Sequence, residues 1–191
     1  TQEAADGMVE TLSKSDDQAL RFLLIRTLLR IKEKNSVLRW NRNTIKREVE
    51  KEVELYRRLR RLQDFYQHST GKKEEFLEVA LSAVSDESLE RVFRCLGLLY
   101  PAEGLRIIYE RLLEHPKAAP VRSHAIDLLH NLLGPECNAI VQVLFEERAF
   151  QGVTEEEAVS ILEDFMISPD RWLSLIANFL VSELGLQSRW P

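Results

Sequence analysis

Four arginines fall within five positions: Arg57, Arg58, Arg60 and Arg61. Arg39, Arg42, Lys46, Arg47, Lys72 and Lys73 lie on either side. On a helix, 57, 60 and 61 share a face and 58 sits beside them. The chemistry open to such a cluster is electrostatic: it can hold anionic lipid head groups or an acidic partner. Next to an anionic leaflet each Lys or Arg contributes about 1 kcal/mol. The same cations also suit a solvated helix C-terminus, where they complement the dipole. A nucleic-acid reading lacks the aromatic residues that stack bases in a groove.

Other residue types offer less. His68, His115, His124 and His130 contain no His-x-x-x-His pair, and His124 and His130 lie on largely different faces of one helix. No metal site is expected from them; His115 reads as a helix-end cap. The carboxylate runs Glu74-Glu75, Glu146-Glu147 and Glu155–Glu157 lie at helix ends, where the N-terminal ones serve the dipole. Catalytic carboxylates need a shared cleft and divergent pKa values, which spacing alone does not provide. Seven glycines, spread singly, make no phosphate loop, and no nucleophile elbow is present. Cys95 and Cys137 sit in apolar helical patterns and read as buried free thiols, with a disulfide between them the alternative. The residues predict no catalytic, cofactor or metal site, and no small-molecule ligand can be named.

Composition sets the frame for these groups. The chain has 191 residues, 45% hydrophobic and 30% charged, with β-branched runs nearly absent, which favours an all-α fold. Its net charge of −5 is uneven: residues 38–73 carry +6 and residues 74–191 carry −11. One basic segment in an acidic chain argues against a general nucleic-acid binder and leaves room for a local anionic partner. The apolar stretches Phe22–Ile31 and Leu173–Leu186 are broken by Arg26 and Arg30, and by Asn178 and Glu183. Both fall short of the roughly 20 residues a membrane span needs. The chain begins at Thr1 rather than Met, as expected of a piece of a longer protein.

The elements follow from periodicity. Helices are predicted at about 2–13 and 17–34, the second capped within Ser15-Asp16-Asp17 and burying Leu20, Leu24, Leu28 and Ile31, with Phe22, Ile25 and Leu29 widening the face. A long helix, 43–68, is capped by Asn43. Its narrow stripe is Ile45, Val49, Val53, Tyr56, Leu59, Leu62 and Tyr66, among many charges that include i,i+4 pairs Lys46–Glu50 and Glu54–Arg58. It is expected to lie on a surface or to pack one edge against a neighbour, and not to run through a core. Ser69-Thr70-Gly71 ends it. Then come 72–84, with Phe76, Leu77, Ala80, Leu81 and Val84 on its apolar side, and 86–99, with Leu89, Val92, Phe93, Leu96 and Leu99. Pro101 and Pro120 start two more helices, and 136–148 follows Gly134-Pro135. Thr154 and Glu157 form a capping box after a Gln151-Gly152 turn, and a last helix opens at Ser168-Pro169-Asp170 and stops at Gly185. Trp40 and Trp172 are expected to pack at the ends of their segments, Trp190 to lie in a tail, and Tyr100 to anchor a loop.

Helices with short connections imply antiparallel neighbours, and a degenerate repeat runs through segments starting at Leu20, Leu89, Val121 and Leu173. Pro120-Val121-Arg122-Ser123-His124-Ala125 with Leu128 and Leu129 resembles the second helix of a HEAT repeat. Asp17 with Leu20-Arg21 and Leu24 matches loosely, and Ser174 and Glu90 depart from the arginine of that pattern. The resemblance implies a HEAT-like (armadillo-like) helical-repeat solenoid of stacked helix pairs over the single domain 1–191. More narrowly, Glu90–Pro101 with Ala125–Leu133 is similar to the soluble HEAT-like region of bacterial membrane proteins of the major-facilitator or ATP/ADP-translocase type. That implies a non-enzymatic, cytoplasmic interaction or regulatory domain acting on an attached membrane bundle. A free-standing scaffold for an acidic or helical protein partner is the second expectation. A HEAT-type enzyme, such as a DNA glycosylase or a chromophore lyase, is the third.

Overall fold

Local side chains set the helix starts. α1 (Gln2–Lys14) opens on Thr1, whose hydroxyl accepts from the Ala4 N–H, and α2 (Gln18–Lys34) opens on Asp17, whose carboxylate accepts from the Leu20 N–H at 2.9 Å. α3 (Arg42–Ser69) opens on Asn41 and not on the expected Asn43. The Asn41 side-chain oxygen takes the N–H groups of Asn43 and Thr44 at 3.0 and 3.2 Å, which places Asn43 inside the first turn. α4 (Glu75–Leu99) is followed by Pro101 and α5 (Ala102–Glu114). α6 (Ala119–Leu132) carries Pro120 in its first turn. α7 (Pro135–Gln142) gives way to a 3-10 turn, Val143–Phe145, and is shorter than the predicted 136–148. α8 (Glu155–Met166) has both halves of the capping box: Glu157 N–H donates to the Thr154 hydroxyl at 3.2 Å, and Thr154 N–H to the Glu157 carboxylate at 3.1 Å. α9 (Arg171–Glu183) is capped by Asp170 and closes with Gly185 at φ +67°. There the Leu186 N–H reaches Val181 O at 3.0 Å and the Gly185 N–H reaches Ser182 O at 3.2 Å, a Schellman closure that needs a left-handed residue.

The computed structural model describes residues 1–35, 37–69, 74–114, 119–146 and 150–189. Among them the fold is all-α, with nine α-helices and no strand, and no helix is long and apolar enough to cross a membrane. The expectations for Thr70, Gly71, Lys72, Lys73, His115, Glu147 and Trp190, and for the Arg122 side chain, lie outside the described residues.

The chain divides into two compact units, Thr1–Glu54 with Ser88–Phe145, and Leu55–Glu87 with Glu146–Pro191. α3 and α4 each contribute one part to the first unit and another to the second. In the first unit α1 packs on α2, α5 on α6, and α6 on α7; in the second α8 packs on α9. The core of the first unit includes Ala5 and Leu12 of α1, Ile25 and Leu28 of α2, Ile45 and Val49 of α3, and Val92, Cys95 and Leu96 of α4. The second is built on Leu59, Leu62 and Tyr66 of α3, Leu77 and Leu81 of α4, Leu162 and Phe165 of α8, and Ile176, Ala177 and Leu180 of α9. Each such leucine or isoleucine contributes about 1.5–3 kcal/mol by burial.

Three expectations are corrected. The predicted helices 72–84 and 86–99 are one helix, α4. No Gly or Pro interrupts 75–96, and Ser85 and Ser88 are buried on its inner side, where the Ser88 hydroxyl donates to Glu52 O at 3.2 Å. α3 does not lie on a surface. Its whole apolar stripe is buried, and Glu48 and Glu52 are buried beside it, each only 1% exposed. On α2 the predicted wide face is buried at Ile25, Leu28 and Leu29 but not at Leu20. The helix also buries Arg21 and leaves Leu23 exposed.

Candidate functional site

The predicted arginine cluster falls in the second unit, on the last turns of α3. Its members do not form one open cationic face. Arg58 is half-buried: its guanidinium meets Asp164 of α8 at 2.6 Å and lies over the Phe165 ring. Arg61 meets Glu157 of α8 at 2.7 Å. That contact, with the Thr154 N–H, holds the Glu157 carboxyl below its ordinary value. Arg60 is exposed and lies over the Phe150 ring, 5.8 Å from its centroid. It also opposes the rise that partial burial imposes on the Asp86 carboxyl. Arg57 is half-buried. Two of the four charges are thus matched by carboxylates of α8, which leaves less of the cluster to meet an anion in solution.

A second charged group, which the sequence does not announce, lies in the core of the first unit. Arg21 of α2, Glu48 and Glu52 of α3, and Arg91 of α4 are all at most 3% exposed. Arg21 Nε donates to Glu52 Oε1 at 2.7 Å, and Arg91 Nε donates to Glu52 Oε2 at 2.8 Å. Arg21 Nη1 donates to the carbonyls of Leu12 and Ser15, each at 3.0 Å, and stands 2.9 Å from Glu48 Oε2 without hydrogen-bond geometry. At the rim, Lys51 approaches Glu48 at 3.3 Å and donates to Ser13 O. Two guanidinium groups and two carboxylates balance, so the quartet is neutral. Burial depresses the Arg21 pKa, but Glu52 and Glu48 more than offset this, and the net shift is upward. Such a quartet has no free base, acid or nucleophile to offer a substrate. It ties α2, α3 and α4 together.

The thiols are equally closed. Cys95 and Cys137 are free and buried, as expected, and no disulfide joins them. Burial, reinforced by Glu52, pushes Cys95 well above its ordinary value, which leaves little thiolate. The Cys137 side chain lies beside the Tyr100 hydroxyl, which accepts from the Gly134 N–H at 3.2 Å. Tyr100 therefore anchors its loop, as its position before Pro101 predicts. Lys32 donates to the carbonyls of Gly97 and Tyr100 at 2.7 and 3.2 Å, satisfying the end of α4, and its partial burial lowers its pKa. Among the described residues no cluster of His, Cys, Asp and Glu is arranged to hold a metal. A cavity of about 400 Å³ lies between α5 and α6 of the first unit, lined by Ile108, Arg111, Val121 and His124 among others.

The remaining feature is apolar and exposed. In the second unit α9 presents Trp172, Leu175 and Phe179, which are 66%, 52% and 48% exposed. The spacing of three and four sets them in one line on the helix. Beside it α4 presents Phe76 and Val79, 66% and 61% exposed, and the Phe76 and Phe179 rings meet edge-on at 6.4 Å between centroids. The five side chains form a continuous strip. Trp172 and Phe76, both expected to pack, are exposed; α9 buries Leu173, Ile176 and Ala177, and on α4 the predicted Leu77 and Leu81 are buried. A strip of this kind can exclude water against another apolar surface and has no acid–base chemistry of its own. No family model, no curated protein and no solved structure matches this chain.

Proposed function

We propose that this chain is a non-enzymatic helical interaction module of HEAT-like, helical-repeat construction, and that its binding face is the exposed strip of the second unit. One observation carries the reading: three aromatic and two aliphatic side chains stay in water side by side, although each helix has a well-filled buried face. Trp and Phe in a contiguous patch are the residue types that dominate binding energy when a partner covers them. The packing of sequence neighbours α1 on α2, α5 on α6 and α8 on α9 supports the repeat construction. The closed state of the thiols and of the buried charge quartet supports a binding role over a catalytic one. In the setting that the sequence resemblance suggests, the module would sit beside a membrane bundle; the strip reading does not require it.

The experiment is site-specific photo-crosslinking in the native host. A benzophenone amino acid replaces Trp172 or Phe179, with the exposed Leu113 of the first unit as control. Discrete protein adducts at 172 and 179 that are absent at 113 support the reading. Strip positions that give no more adduct than the control refute it.

A further inference from the structure

The strip has a built-in preference for its occupant, which follows once it is taken as a binding face. Trp172, Leu175 and Phe179 span about 10 Å along α9. Charges of opposite sign bracket them: Arg171 is exposed at the first position of the helix and Glu183 at the last. Neither makes an ion pair among the described residues.

Both charges of α9 stand where they oppose its own dipole, a cation at the N-terminus and an anion at the C-terminus. Helix stability therefore does not account for them. A second helix laid antiparallel across the strip reverses the relation. Its C-terminal carbonyls come beside Arg171 and its N-terminus beside Glu183. We infer that the strip pairs with the same strip of a second copy of this chain, antiparallel about a two-fold axis near Leu175 and Ile176. Such an axis sets Trp172 against the partner's Phe179 and brings Arg171 within side-chain reach of the partner's Glu183. An isologous contact of this kind forms each charge pair twice. With roughly half of each strip side chain exposed, about 100 Å² apiece, the contact removes roughly 500 Å² per copy and about 1,000 Å² in all. That is the lower limit for a specific interface and places the dissociation constant at about 1–100 μM.

The inference rests on the strip being a binding face, and sedimentation of the intact chain tests it. Between about 1 and 300 μM the weight-average mass should climb from the monomer's 22.2 kDa toward twice that value. Phe179→Glu and Arg171→Glu should each weaken association at least tenfold. Arg171→Glu should leave the melting temperature unchanged or raise it, because it corrects the charge at the helix start. The swap Arg171→Glu/Glu183→Arg should return association to within about threefold of the wild type. A mass fixed at 22.2 kDa over the whole range overturns the proposal. So does a swap no better than its single variants. In either case crosslinks from Trp172 to a different protein would leave the interaction reading standing, whereas an absence of crosslinks would remove both.

Discussion

Glu52 is the residue on which the first unit should prove most dependent. It takes Arg21 Nε at 2.7 Å on one oxygen and Arg91 Nε at 2.8 Å on the other, and it is 1% exposed. Glu52→Gln keeps the volume but removes one of two negative charges, leaving two guanidinium groups and only Glu48 in a site closed to water. Breaking a buried pair from one side costs about 3–5 kcal/mol, since the orphaned charge keeps its desolvation penalty. Arg91→Met is the complementary change. It leaves Glu52 with Arg21 and removes a guanidinium whose Nη2 makes no hydrogen bond, so it should cost less. In the double variant Arg21 and Glu48 remain as a neutral pair. The double variant should therefore lose about 1–3 kcal/mol less than the sum of the singles. Urea denaturation followed by far-UV circular dichroism gives the three values. Hydrogen exchange of the α2 amides should show the loss within the first unit, where all four residues reside. A Glu52→Gln loss under about 1 kcal/mol, the worth of an exposed pair, would refute the reasoning. A strictly additive cycle would refute it equally.

Two further outcomes follow from the same geometry. Glu157 is held below its ordinary 4.5 by Arg61 and the Thr154 N–H, so Arg61→Ala should move its titration upward, read by NMR of the side-chain carboxyl. Because the folded value is depressed, this contact stabilises the fold above about pH 4.5 and is lost as pH falls through the folded value; Arg61→Ala should flatten that acid limb of the melting profile. A Glu157 titration unmoved by the substitution would mean that the pair does not persist in solution. Cys95 and Cys137, both buried and free, should give no reaction with a thiol reagent such as DTNB in the native protein and two equivalents in denaturant. Fast labelling of either under native conditions would contradict the packing around it.

What the sequence makes legible is local. The Asp17 cap, the Thr154–Glu157 capping box and the Gly185 stop each need only three or four neighbouring residues, and each stands where the sequence puts it. The junction inside α4 was misread because Ser85 and Asp86 are as compatible with a cap as with a helix interior. Only the packing of Ser85 and Ser88 decides between them. The buried status of Glu48 and Glu52 depends on Arg21 and Arg91, which are 31 and 39 residues from Glu52 in the chain. A carboxylate pair at i,i+4 in line with an apolar stripe is the one hint, and it is ambiguous without knowing its partners. The arginines at 57–61 were legible as a cluster, but not their engagement by Asp164 and Glu157, about a hundred residues further on.

The same cause lies behind the exposure of Leu20 on α2 and of Trp172 on α9. Both helices carry apolar residues on nearly every side, so periodicity leaves the phase of burial open. In α2 the choice falls to Arg21. Its guanidinium must reach Glu52 and the Leu12 and Ser15 carbonyls, and that requirement rotates Ile25 and Leu28 inward with it and Leu20 and Leu23 outward. In α9 the choice falls to Ala177, which is fully buried and admits close approach, with Leu173, Ile176 and Leu180 about it. Trp172, Leu175 and Phe179 are then obliged to face water. Their exposure is thus a consequence of how the core is chosen and not a failure to bury them. A chain that retains three large side chains on the face its own core rejects loses solubility without gaining stability. Coverage by another surface is the condition under which that arrangement becomes favourable.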